Sequence, residues 1–227
     1  MNTAIDGDPT EGHTSKTLDH VLAELRLNTV TMGGLVIDQV GTAVRALLNA
    51  NSAAAQQVLS REFNVNELER DIDRDAFQLI ARHQLVAGDL RLARAITRII
   101  HELERAGDEA KKIARFAQQL VDGTPQGPVI TVAPYLRHMA DLSTSMLREA
   151  VRALDESDLE LAHRVTARDM ELDEEFASAL RQVFTLVMEG EPYLRATIDT
   201  VFALKGLERI GDHAKNIAEQ VVLIIQR

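Results

Sequence analysis

LERAGDEAKKIA, residues 103–114, returns as LERIGDHAKNIA at residues 207–218, with nine of twelve positions identical at a constant offset of 104. Agreement at that level within one chain marks a duplicated module. Each copy is a helix by composition, since Leu, Glu, Arg, Ala and Lys are strong helix formers. The copies therefore fix an all-α, two-repeat reading of the 227-residue chain.

Working outward, apolar residues from Leu18 through Leu25, Met32 and Val36 to Val44 and Leu47 recur at three- and four-residue steps, which predicts an amphipathic first helix ending near Asn49. A second helix is expected from about Ala53 to Val86 and a third from about Leu90 to Val121, with Asp89 as its N-cap. DGTPQGP at 122–128 concentrates glycine and proline and reads as the linker. Three more helices follow: one opened by Pro134 and running to Leu154, one after ESD at 156–158 running to Val187, and one from EPYL to the end. The expected organisation is a flexible N-terminus over 1–13, a three-helix bundle over 14–121, the linker, and a second three-helix bundle over 129–227. Six long helices of about 40 to 50 Å with short connections should pack antiparallel as two tandem, pseudo-symmetric bundles.

An excess of 35 acidic over 25 basic residues gives a net charge of -10. Such a field repels nucleic acid and an anionic leaflet unless a local basic patch overrides it, and none is expected. The absence of cysteine excludes disulfides and thiolate metal sites and fits a reducing compartment, so a cytoplasmic protein is expected. The longest apolar run, VVLII at 221–225, is far short of the roughly 20 residues a bilayer span needs, so direct membrane insertion is not expected.

Within the repeated segment Glu104 stands four residues before Asp108, and Glu208 four before Asp212; upstream, Glu62 and Asn66, and Asp169 and Asp173, share that spacing. Side chains four apart on a helix are neighbours, so the like charges destabilise each helix by a few tenths of a kcal/mol. If the second and third helices of each bundle are antiparallel neighbours, the pairs face each other as a cage of oxygens. An oxygen-only donor set suits hard cations, Mg²⁺, Ca²⁺, Mn²⁺ or ferric iron. Against this stands a solvated acidic face, which leaves unexplained why Gly107 and Gly211 occupy helix interiors at a cost of about 0.5–1 kcal/mol each; close helix packing is the other explanation for them. Arg105 and Arg209 point off the carboxylate stripe and are read as surface salt bridges or partner contacts, His213 as a polar surface histidine, and MGGLV at 32–36 as a close helix crossing.

The doubled LER-x-GD segment, together with VAGDLR at 86–91 and MGGLV, resembles the PhoU family of phosphate-signalling regulators from about Leu18 to the end of the chain. The resemblance implies pseudo-symmetric three-helix bundles with metal clusters, iron in some members, on acidic pairs. By position it selects Glu104, Asp108, Asp169, Asp173, Glu208 and Asp212, then Glu62 with Asn66, whose neutral amide makes the first cluster the weaker. It further implies a cytoplasmic negative regulator, peripheral to the inner membrane through its partners, that links a phosphate ABC transporter ATPase to a sensor histidine kinase, acts without enzymatic activity and forms a homodimer. Direct phosphate binding by a bare acidic cage would need bound cations to reverse the local sign. The competing readings are a metal-dependent phosphoesterase, for which no general base or nucleophile stands out, ferritin-like iron chemistry, for which no Glu-x-x-His pair is present at these sites, and a metal-free helical adaptor.

Overall fold

A computed structural model describes residues 11–121, 127–190 and 194–226, which form seven α-helices and no strand. They are α1 Glu11–Leu48, α2 Ser52–Arg82, α3 Ala87–Val121, α4 Gly127–Thr131, α5 Ala133–Glu156, α6 Leu159–Met188 and α7 Leu194–Ile225. The all-α expectation holds, and the boundaries move for local reasons.

Asn51 caps α2, its side chain accepting from the Ala54 amide at 3.0 Å, and Ala50 before it takes a left-handed φ of 46° that turns the chain back. Asp158 caps α6 in the same way through the Leu161 amide at 2.9 Å. Asp89 is not an N-cap: α3 already starts at Ala87, and Asp89 sits in its first turn, where a carboxylate favours the positive end of the helix dipole. Gly88 is thus inside the helix, while α2 stops early, at Arg82 with His83 as its C-cap. Helix α1 begins at Glu11, inside the stretch expected to be loose; residues 1–10 lie outside the described residues. Of the expected linker, 122–126 lie outside the described residues, and Gly127 and Pro128 open the short α4, where proline in a first turn removes no needed hydrogen bond.

Helices α1, α2 and α3 pack on one another, and so do α5, α6 and α7. The two triplets meet through α3 against α7 and α1 against α5, and one hydrophobic core runs through both, from Leu25, Met32 and Ile99 to Met146, Leu172 and Ile217. Gly33 makes the α1–α5 crossing, since a Cβ there would come within 2.6 Å of Val151 Cγ2; Gly34 faces open space, so only one glycine of MGGLV serves the crossing.

The repeat glycines have a packing role. A Cβ on Gly211 would overlap the fully buried Leu172 of α6, and one on Gly107 would meet Gln39 Oε1 at 3.3 Å, with Val65 of α2 at 3.8 Å. Val65 and Leu172 are equivalent positions at the α2/α6 offset of 107. Gly211 lets α6 approach α7 beside the acidic pairs, whereas at Gly107 the tight contact is with Gln39 of α1 and Val65 of α2 stands at ordinary van der Waals distance.

Candidate metal centre

The second-repeat carboxylates converge. Asp169 and Asp173 on α6 face Glu208 and Asp212 on α7, and Lys215, one turn beyond Asp212, reaches across to Asp169 Oδ2 at 2.5 Å. Burial pushes Glu208 above its ordinary carboxylate range; the Asp212 and Asp173 charges push it further, against the opposing Lys205 ammonium, which bonds Glu208 Oε1 at 2.5 Å. Burial likewise raises Asp212, with the Asp169 and Asp173 charges adding. Glu208 is 9 % exposed and its second oxygen, Oε2, is buried with no hydrogen-bond partner. An ionised oxygen left unpaired in a half-dry site is costly, and a cation is what would satisfy it.

The first-repeat residues gather differently. Lys111 bonds Glu62 on α2 and lies 3.4 Å from Asp108, so one ammonium bridges both helices. Burial, and then the Arg115 and Lys112 charges, push Lys111 below its ordinary value, whereas the bond to Asp169 raises its counterpart Lys215. Glu104 is raised by burial and by the Asp108 and Glu69 charges. Asn66 is half-buried on α2, one turn after Glu62. Glu69 brings to this cluster a carboxylate that the four-residue spacing missed; it bonds His101 Nδ1 at 2.6 Å. At the equivalent places the second repeat has Phe176 and Lys205, the ammonium 5.3 Å from the ring centroid.

Among the described residues, no three His, Asp or Glu side chains stand together as a finished coordination shell in either cluster. The donors fit a hard cation by chemistry, all oxygen with one orphaned acceptor, and the fit is better in the second repeat.

Arg105 and Arg209 are exposed and ion-paired with Glu102 at 3.6 Å and Glu109 at 3.3 Å, along a polar cavity of about 550 Å³ between α3 and α7. His213 is not a surface residue: it is 7 % exposed and its Nδ1 lies 2.7 Å from Glu102 Oε2, which also accepts from Asn216 at 3.0 Å. Burial would raise Glu102, but the bonds from His213 and Asn216 outweigh it and hold the carboxyl below its ordinary value. This contact joins α3 to α7, and periodicity along one helix carries no signal for it. Nor does the expectation of no basic patch stand: Arg91, Arg94 and Arg98 share one groove on α3, a spacing of three and four that the sequence displayed.

The PhoU domain model matches residues 29–117 and 136–221 of the chain. A Pseudomonas putida protein named phosphate-specific transport system accessory protein PhoU homolog is 40 % identical over 94 % of this chain and 82 % of its own length. The Escherichia coli K12 phosphate-specific transport system accessory protein PhoU is 32 % identical over 94 % of this chain and 87 % of its own. The crystal structure of PhoU from Pseudomonas aeruginosa superposes with a TM-score of 0.85 at 40 % identity, covering 92 % of this chain and 98 % of that one.

Proposed function

The chain belongs to the PhoU family, and from that membership we propose that it is a cytoplasmic negative regulator of the phosphate-starvation response. It would work as an adaptor between the ATPase of a phosphate ABC transporter and a sensor histidine kinase, with each repeat holding cations on its carboxylates. The relatives' names carry association with a phosphate-specific transport system. Among the described residues no helix is long and apolar enough to cross a membrane, which fits access to a membrane transporter through protein contacts.

The two helix triplets are read as pseudo-symmetric bundles, each a rigid frame for one cluster. The observation that carries the metal reading is the unpaired, buried Oε2 of Glu208 amid the Asp169, Asp173 and Asp212 carboxylates. Those four residues would hold one cation centre, and Glu62, Asn66, Glu104 and Asp108 the other. A bound cation supplies positive charge where the bare protein has mutual repulsion. Lys215 and Lys205 are competitors for the same oxygens, so cation entry would require their ammonium groups to turn toward solvent, a movement that their long stems permit. Arg105 and Arg209, exposed beside the inter-repeat cavity, are placed to contact a partner.

Two measurements test this reading. Titration of Mn²⁺ into chelator-treated protein should give binding that Glu208→Gln with Asp212→Asn weakens by about 100-fold, two charged ligands being lost. Binding of the purified transporter ATPase should be measurable for the wild type and weakened by Arg105→Ala with Arg209→Ala. Absence of ATPase binding at micromolar protein would sink the adaptor, and unchanged Mn²⁺ affinity would sink the metal centre.

A further inference from the structure

Arg91, Arg94 and Arg98 fall within about a 60° arc of α3, so their guanidinium groups line up over about 10 Å. None of the three has a hydrogen bond or ion pair among the described residues, although the chain carries ten more acidic than basic side chains. By contrast Arg105, Lys112, Arg209 and Lys215, further along the same inter-repeat face, each hold a carboxylate. The three free arginines form one wall of a groove of about 220 Å³; Gln220, Leu223 and Ile224 of α7 form the other, with Leu223 56 % exposed. Duplication does not explain the stripe, because the equivalent positions on α7 are Arg195, Ile198 and Phe202. Like charges at three- and four-residue spacing weaken their helix by a few tenths of a kcal/mol per pair, and among the described residues no ion pair to these arginines offsets this.

We propose that this groove docks an amphipathic helix of a partner protein, one carrying an acidic stripe beside an apolar one. Carboxylates at three- and four-residue steps on such a helix repeat over the same length as the arginines, and each meets a guanidinium in the forked geometry that arginine supplies and lysine does not. The apolar residues of the partner cover Leu223 and Ile224. That second wall decides the occupant. A free oligophosphate would use the arginines and leave the leucine wet, and a flat anionic bilayer could not enter the groove to cover Leu223 and would be repelled by the chain's net charge of -10.

The test uses the full chain and a labelled synthetic peptide of about 18 residues, long enough for a few helical turns, with Glu at matching spacing beside Leu. The wild type should bind it, and Arg91→Gln, Arg94→Gln and Arg98→Gln together should weaken binding by about tenfold, three exposed pairs being lost. Changing all three arginines to Glu should transfer preference to the same peptide with Lys in place of Glu. Far-UV circular dichroism, expected to be unchanged, and thermal midpoints, expected to be unchanged or slightly raised as the like-charge repulsion is relieved, confirm folding of the variants. Equal peptide affinity in the wild type and the Gln variant overturns the proposal. So does arginine-dependent binding of phosphatidylglycerol vesicles or tripolyphosphate without peptide binding. The groove is independent of the carboxylate clusters, so peptide binding should persist in the Glu208→Gln, Asp212→Asn protein.

Discussion

The two carboxylate clusters belong to one repeated module and differ in what they leave unsatisfied. In the second repeat four acids, Asp169, Asp173, Glu208 and Asp212, press on one another and leave a buried oxygen unsatisfied. In the first, Asn66 removes one charge, and Glu69 restores a carboxylate at the other side of the cluster, where His101 already binds it. Lys111 of α3 bonds Glu62 of α2 and Asp108, its counterpart Lys215 of α7 bonds Asp169 of α6, and the second cluster adds Lys205, which bonds Glu208 on its own helix. Four carboxylates thus face one lysine in the first cluster and two in the second, and what sets the second apart is the buried Glu208 Oε2 without a partner, which has no counterpart among the described carboxylates of the first. Both keep the same frame, a middle and a last helix with a glycine beside the acidic pairs, so the difference between the clusters lies in side-chain chemistry.

The frame itself should respond most strongly to change. Gly211→Ala would drive a methyl into Leu172, which is fully buried, and should cost about 1–2 kcal/mol after the gain in helix propensity. Gly107→Ala meets only the end of Gln39, whose side chain is buried with both polar atoms unpaired, and should stay within about 0.5 kcal/mol of wild type. Urea unfolding of the two variants gives the comparison, and equal losses would show that the glycines do not differ in their packing role.

Asn66→Asp should make the first cluster resemble the second. Its Mn²⁺ affinity should rise by about tenfold on gaining a charged ligand, read by titration in a Glu208→Gln, Asp212→Asn background. No gain would mean that Lys111 and Glu69, not the missing charge, set the balance of that cluster.

The smallest effect concerns Asp199, whose counterpart in the first repeat is the buried Ala95. Burial raises the Asp199 carboxyl, with Arg195 opposing, and its Oδ2 lies buried without a partner. A raised folded-state value means that the folded protein holds this proton more tightly than the unfolded chain does. The ionised group therefore destabilises the fold at neutral pH, and the penalty fades as pH falls through the raised value to the ordinary value of 3.8. Asp199→Ala should accordingly stabilise by about 0.5–1 kcal/mol at pH 7, with the gap closing on acidification. A gap that widens toward low pH would contradict this sign.

The offset of 104 made the two clusters and their glycines legible, because a repeat preserves spacing and spacing on a helix is geometry. The caps at Asn51 and Asp158 were legible for the same local reason. Local rules fail at Asp89, where an acid in the first turn has the same sequence signature as a cap, and at Gly127 and Pro128, where a pair typical of loops opens α4. Lys111 and Lys215 stand three residues after Asp108 and Asp212 inside the repeated segment, but which oxygen each ammonium takes depends on the facing helix and not on spacing along its own. The burial of His213 was out of reach, since it depends on how α7 docks on α3, and that is set by the whole core rather than by either helix.

Crystals grown with Mn²⁺ and measured for anomalous scattering test the central contrast most directly. The account predicts a peak among Asp169, Asp173, Glu208 and Asp212, with Lys215 turned away, and a weaker one or none among Glu62, Asn66, Glu104 and Asp108. A stronger peak at the first cluster, or none at the second, would contradict it.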